Sequence, residues 1–190
     1  KLIDFYVHYC EVLFHRFRNK VKYWMTFNEI NCIVLNPTIP AGIRIGEGEN
    51  FNQIVFQAAH HELVASATAV KLGHAINPEF KIGMMMIYPL TYTETCNPED
   101  ALLQMKMMDL HLMFSDVQVR GCYTRKAKKQ LKEKQVILHI EPDDEKILHE
   151  GTVDFLGFSY YMSNVASAKG QKPMTEGNML QSIRNPYLEI

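Results

Sequence analysis

The sequence predicts an α/β protein built on a parallel sheet. Three observations carry this. Helical and strand patterns alternate along the 190 residues, which is the order of βα units. The segment Lys81 to Tyr88 (KIGMMMIY) is apolar throughout, as suits a parallel strand covered on both faces. No glycine-rich phosphate loop follows any strand, which argues against a doubly wound nucleotide-binding sheet. About three strands are expected, too few to close an eight-stranded barrel.

The elements follow in order. Residues 1–19 form an amphipathic helix, with Phe5, Tyr9, Val12, Leu13 and Phe17 near helical spacing. Val21 to Asn28 (VKYWMTFN) is short and rich in aromatic and β-branched residues, so a strand is expected. Ile30 to Glu49 carries Pro37, Pro40, Gly42, Gly46 and Gly48 and reads as a long loop, usually a functional feature in a compact chain. Asn50 suits the N-cap of a helix from about Phe51 to Leu72, and Asn77-Pro78 bars its continuation. Pro98 to about Val119 is a further helix, because Pro98 fits a first turn and Glu99-Asp100 complement the dipole. Residues 123–134 are helical, with their basic residues on a solvated face, and Gln135 to Ile140 is extended. Asp143 to His149 is a brief helix ended by Gly151, Thr152 to Met162 a strand, and the chain from Ser163 a loop.

Composition narrows the function classes. A hydrophobic content of 47% and a net charge of −1 suit a folded domain and exclude a dedicated nucleic-acid binder, which carries a basic face. No apolar run is long enough for a membrane span, and no signal peptide is visible. Cys10, Cys32, Cys96 and Cys122 form no CxxC pair, so reduced thiols in a cytoplasmic protein are expected. His60-His61-Glu62 lacks the HExxH spacing, and the two imidazoles point to different helix faces, so no metal site is expected. Asp143-Asp144-Glu145 is a helix-start cluster, and the methionines are core filling. No cofactor is implied.

The informative spot is Thr26-Phe27-Asn28-Glu29-Ile30-Asn31. A carboxylate where a strand ends and a long loop begins stands at the catalytic mouth of a parallel barrel. KYWMTFNEIN resembles the TFNEP signature of family 1 glycoside hydrolases, and its NEIN form resembles the 6-phospho-β-glucosidase branch. AAHHELVASATAVK (58–71), FSDVQVRGCY (114–123) and EGTVDFLGFSYYMSN (150–164) are similar to later segments of that family in the same order, so the likeness covers nearly the whole chain.

The resemblance implies part of a TIM (β/α)8 barrel, about three parallel strands with their helices. It implies retaining hydrolysis of β-glucosides, 6-phosphorylated ones above all, with plain β-glucosides or 6-phospho-β-galactosides as alternative substrates. Glu29 takes the acid/base role and Asn28 the hydrogen bond to the sugar 2-hydroxyl. In Phe158-Ser159-Tyr160-Tyr161, Tyr161 takes the role of the phenol that orients the nucleophilic carboxylate. Ser159 stands where many members have a sugar-binding Asn, and Ser there accompanies phosphate specificity. Ile30 replaces the family's Pro and Thr124 another Pro; the latter should change only a local loop. A retaining glycosidase needs two carboxylates about 5–5.5 Å apart. The family's TENG-like nucleophile segment is not found, since Glu176 and Glu189 lack that context. The chain opens at Lys1 inside a periodic pattern and stops at Ile190, just after Asn185-Pro186-Tyr187. Residues 1–190 are therefore expected to be a single internal piece of a glycosidase domain, truncated at both ends and inactive alone. Two other readings are a barrel remnant acting as an interaction module and one half of a split enzyme.

Overall fold

Helix α1 spans Leu2–Arg16, with Asp4 in its first turn and His15 and Arg16 in its last, a charge order that favours the dipole. It stops short of residue 19 because Lys20 and Val21 turn back to donate to the Phe17 carbonyl. The computed structural model describes residues 1–170 and the backbone of Ile183 and Arg184. Strand β1 is Tyr23–Met25. A 3-10 turn follows at Ile30–Val34, and α2 at Thr38–Ala41. Helix α3 runs Phe51–Ile76, with the Asn50 side chain accepting from the Gln53 N–H. Then come β2 (Lys81–Ile87), β3 (Thr91–Thr93) and α4 (Pro98–Arg120). The chain continues through α5 (Arg125–Glu133), α6 (Asp144–Glu150), β4 (Leu156–Ser159) and β5 (Asn164–Ala166), with β6 at Ile183–Arg184.

The main sheet has the order β1-β2-β4, all parallel. A parallel sheet is what the alternation of elements predicts, and three strands are an open arc of the (β/α)8 barrel that the resemblance implies. Opposite partners share a face, so Trp24 and Ile82 point together toward the helices. There they meet Phe14 of α1, Val70 of α3 and Phe80 in one apolar cluster. Gly73 brings α3 close to this layer, because a Cβ there would collide with Ile82 and Phe14. A second cluster joins Ile30 and Ile33 to Phe56 and Leu63 of α3, Phe114 of α4 and Leu131 of α5. Met84 and Met86 of β2 and Met108 and Met113 of α4 are buried, as core-filling methionines should be, but Met105 of α4 faces solvent. Tyr23 and Met25 lie on the opposite face of β1, 68% and 55% exposed. Edge strand β4 leaves Leu156 and Phe158 in solvent as well.

Two predicted strands are shorter than their patterns suggest. The apolar composition of 21–28 and 152–162 marks the right segments, but only residues with a backbone partner on β2 form ladder. The tail differs more. Asn164–Ala166 is a strand, parallel to Thr91–Thr93 and antiparallel to Ile183–Arg184. Residues 135–140 are extended but pair with side chains instead of a strand. The Gln53 carboxamide bonds both backbone groups of Ile137, and Gln57 those of His139. Among the described residues no helix is long and apolar enough to cross a membrane.

Candidate active site

The site grows from an irregularity at the end of β1. Thr26 N–H donates to Gly83 O at 3.3 Å and Glu29 N–H to Met85 O at 3.0 Å. Three residues just past β1 thus span two on β2, so the chain carries one extra residue there and bulges. Glu29 absorbs the turn in the left-handed region, at φ 50°, where a non-glycine residue is uncommon. Bulges of this kind re-aim a side chain beside active sites.

Asn28, Glu29 and Tyr161 line one cavity of about 460 Å³ at the C-terminal end of the parallel sheet. The turn after Glu29 and helix α2 supply apolar walls at Leu35, Ile39 and Pro40. Phe27 lines it too and stacks on Tyr6 at 4.4 Å between ring centroids. The Tyr161 hydroxyl donates to Glu29 Oε1 at 2.9 Å. The Cys32 thiol donates to Glu29 Oε2 at 3.7 Å, a weak sulfur hydrogen bond. Burial, reinforced by the Glu29 carboxylate, pushes that thiol up to about 12, so it stays protonated and remains a donor.

The predicted residues are thus brought together with one exception and one change of partner. Ser159 sits at the end of β4 opposite Ile87, gives its carbonyl to Tyr88 N–H at 2.9 Å, and does not line the cavity. Tyr161, expected on a second carboxylate, here bonds Glu29 itself. Tyr160, beside it, is exposed.

Further residues belong to the site. Glu62 of α3 also lines the cavity, and its buried Oε2 has no hydrogen-bond partner. Burial raises its pKa to about 8, so it is largely protonated near neutrality. The signal was present in HHELVAS as a carboxylate among apolar helix residues. Asn31, fully buried, lies two residues after Glu29 and pairs with the backbone of Ile87. The neighbouring His60 and His61 do diverge: His60 is buried and His61 exposed. Among the described residues no group of three or more His, Cys, Asp or Glu side chains could hold a metal ion.

Comparison with known proteins agrees with this fold. The family model described as Glycosyl hydrolase family 1 matches residues 1–189. The aryl-phospho-β-D-glucosidase BglH of Bacillus subtilis (strain 168) is 46% identical over 190 residues, covering 100% of this chain and 40% of that protein. The 6-phospho-β-glucosidase of Clostridium longisporum is 45% identical over 189 residues, covering 99% and 40%. Among solved structures, a family 1 β-glucosidase from Thermotoga maritima superposes with a TM-score of 0.71 at 25% identity, over 86% of this chain and 36% of that one. A β-glucosidase from Exiguobacterium marinum gives 0.73 at 19% identity, over 98% and 41%, a likeness of fold. The chain spans about 40% of the length of the curated relatives it matches.

Proposed function

The chain belongs to glycosyl hydrolase family 1, and from that premise we propose that its 190 residues are one stretch of a longer barrel enzyme that hydrolyses 6-phospho-β-glucosides with retention. Glu29 is the general acid/base. The observation that carries this is its place: a strand-end carboxylate, turned by a bulge into a cavity at the sheet's C-terminal end. The names of the relatives at 46% and 45% identity support the phosphorylated substrate.

The chemistry divides into two steps. Protonated Glu29 gives its proton to the leaving glycosidic oxygen while a second carboxylate attacks the sugar carbon. Ionised Glu29 then takes a proton from the water that releases the sugar. We assign the second carboxylate to a part of the enzyme outside these residues. Tyr161, whose hydroxyl already bonds one carboxylate, is placed to donate to that nucleophile once it arrives. Asn28 faces the sugar from the same cavity. The four cysteines are unpaired, which suits the cytoplasm, where we place the enzyme.

The test compares the full-length enzyme on 4-nitrophenyl β-glucoside 6-phosphate, its unphosphorylated analogue and the β-galactoside 6-phosphate. The first should be turned over best. A preference for the plain glucoside would overturn the phosphate assignment. Residues 1–190 alone should turn over none of them above the uncatalysed rate. Turnover by that piece, abolished by Glu29→Gln, would mean that both carboxylates lie within it, with Glu62 the first to examine.

A further inference from the structure

The motif around Glu29 ends in a second asparagine that the proposed reaction does not use. Asn31 is fully buried, and its carboxamide is spent on one backbone residue across the sheet. Ile87 N–H donates to Asn31 Oδ1 at 3.0 Å, and Asn31 Nδ2 donates to Ile87 O at 2.8 Å. On β2, Gly83 and Met85 accept from β1 backbone N–H groups, and the next in-phase residue is Ile87. There the ladder has passed the bulge, and the Asn31 side chain takes over as a surrogate peptide group. The remaining Nδ2 proton points to Nδ1 of His111 on α4, 3.2 Å away. That contact requires a bare Nδ1, because two N–H groups cannot bond each other. Burial lowers the His111 pKa to about 4, which keeps the ring neutral.

Building on the reading of Glu29 as the acid, we propose that Asn31 and His111 are positioning residues for it. The chain leaves Glu29 in an uncommon backbone conformation, and the turn that follows has to be anchored for the carboxyl to stay aimed. The Asn31 amide fixes that turn to the end of β2, and His111 fixes the amide's orientation. Neither residue lines the cavity, so both act through Glu29 and not on the substrate.

The experiment uses the full-length enzyme and two substrates, phenyl and 2,4-dinitrophenyl β-glucoside 6-phosphates. The phenyl leaving group needs a proton; dinitrophenolate departs with little help. A misplaced acid should therefore hurt only the first. Asn31→Ala should lower kcat/KM for the phenyl substrate about 10–100-fold and change the dinitrophenyl value little. His111→Leu should show a smaller loss of the same selective kind, and His111→Gln, which keeps an acceptor for the amide, should restore most of it. A merely structural role would lower both substrates together, and that result would overturn the inference. If Asn31→Ala does not fold, the His111 pair decides: equal values for Leu and Gln, or equal losses on both substrates, overturn it. Glu29→Gln serves as the control. If it is leaving-group selective and the Asn31 and His111 variants are not, this inference fails alone. If it is not selective, the acid/base reading fails and takes the inference with it.

Discussion

Helix α3 carries two polar clusters of similar composition and opposite character. His60 belongs to a closed one. The side chain is fully buried, with Nδ1 on the Tyr123 hydroxyl at 3.0 Å and Nε2 on Asp144 Oδ2 at 3.1 Å. Asp144 also accepts the Glu141 N–H at 2.8 Å. This cluster fastens α6 and residue 123 to α3. Two residues along the same helix, Glu62 belongs to an open cluster. Its Oε2 is buried and unpartnered, it shares a cavity with Glu29, and the tyrosine that bonds Glu29 is 63% exposed. Both contain the residue types of an active site. What separates them is satisfaction: the first has a partner for each imidazole nitrogen, while the second lines a cavity and leaves a buried carboxyl oxygen unpartnered. A buried polar group without a partner is costly, so its persistence points to function.

Substitutions in the full-length enzyme can sharpen or break this contrast. The largest effect is expected at Glu29. Glu29→Gln should slow hydrolysis of poor leaving groups about 10²–10⁴-fold while leaving the thermal midpoint nearly unchanged. In the closed cluster the order reverses. Asp144→Ala strands His60 Nε2 and the Glu141 N–H and should cost about 3 kcal/mol in a denaturant titration, with no leaving-group selectivity. A selective loss of rate in that variant would erase the distinction between the clusters.

Two pH dependences of opposite sign follow from burial. The His111 pKa falls from 6.5 to about 4, so the unfolded chain binds the proton more readily. Stability should therefore drop as pH falls from about 6.5 to about 4, by on the order of 3 kcal/mol, and His111→Gln should flatten that slope. The Glu62 pKa rises from 4.5 to about 8, so the folded state holds the proton more tightly. Its contribution is full below about pH 4.5 and lost as pH rises through about 8. Glu62→Gln should remove that loss, on the order of 2 kcal/mol after allowing for partial exposure. A parent and variant with parallel pH–stability curves would show that Glu62 is solvated after all. The smallest effect is expected for Tyr123→Phe, about 1 kcal/mol for one hydrogen bond to His60, again without change in rate.

Much of this was readable from residues in a row. The Asn50 cap, Pro98 in a first turn and the apolar run of β2 are local signals, and the structure places the elements where they point. Glu29 stood out because a strand end and a motif coincide there. The rest depended on contacts between distant parts of the chain. Asn31 and His111 are 80 residues apart, so nothing in NEIN announces its second asparagine's partner. The bulge between Thr26 and Glu29 exists only relative to β2. Strands β3 and β5, three residues each, are too short to show a period, and their pairing defines them. The two glutamines of α3, Gln53 and Gln57, serve as a strand for residues 137 and 139, a role no local pattern marks.

The role of Glu29 as proton donor is tested most directly by a series of aryl β-glucoside 6-phosphates with graded leaving groups, run on the full-length enzyme and its Glu29→Gln variant. The expected result is a fan: near-equal kcat/KM for dinitrophenol, and a gap that widens toward about 10²–10⁴-fold as the leaving group becomes more basic. Two parallel lines, with the same loss at every leaving group or none at all, would contradict it.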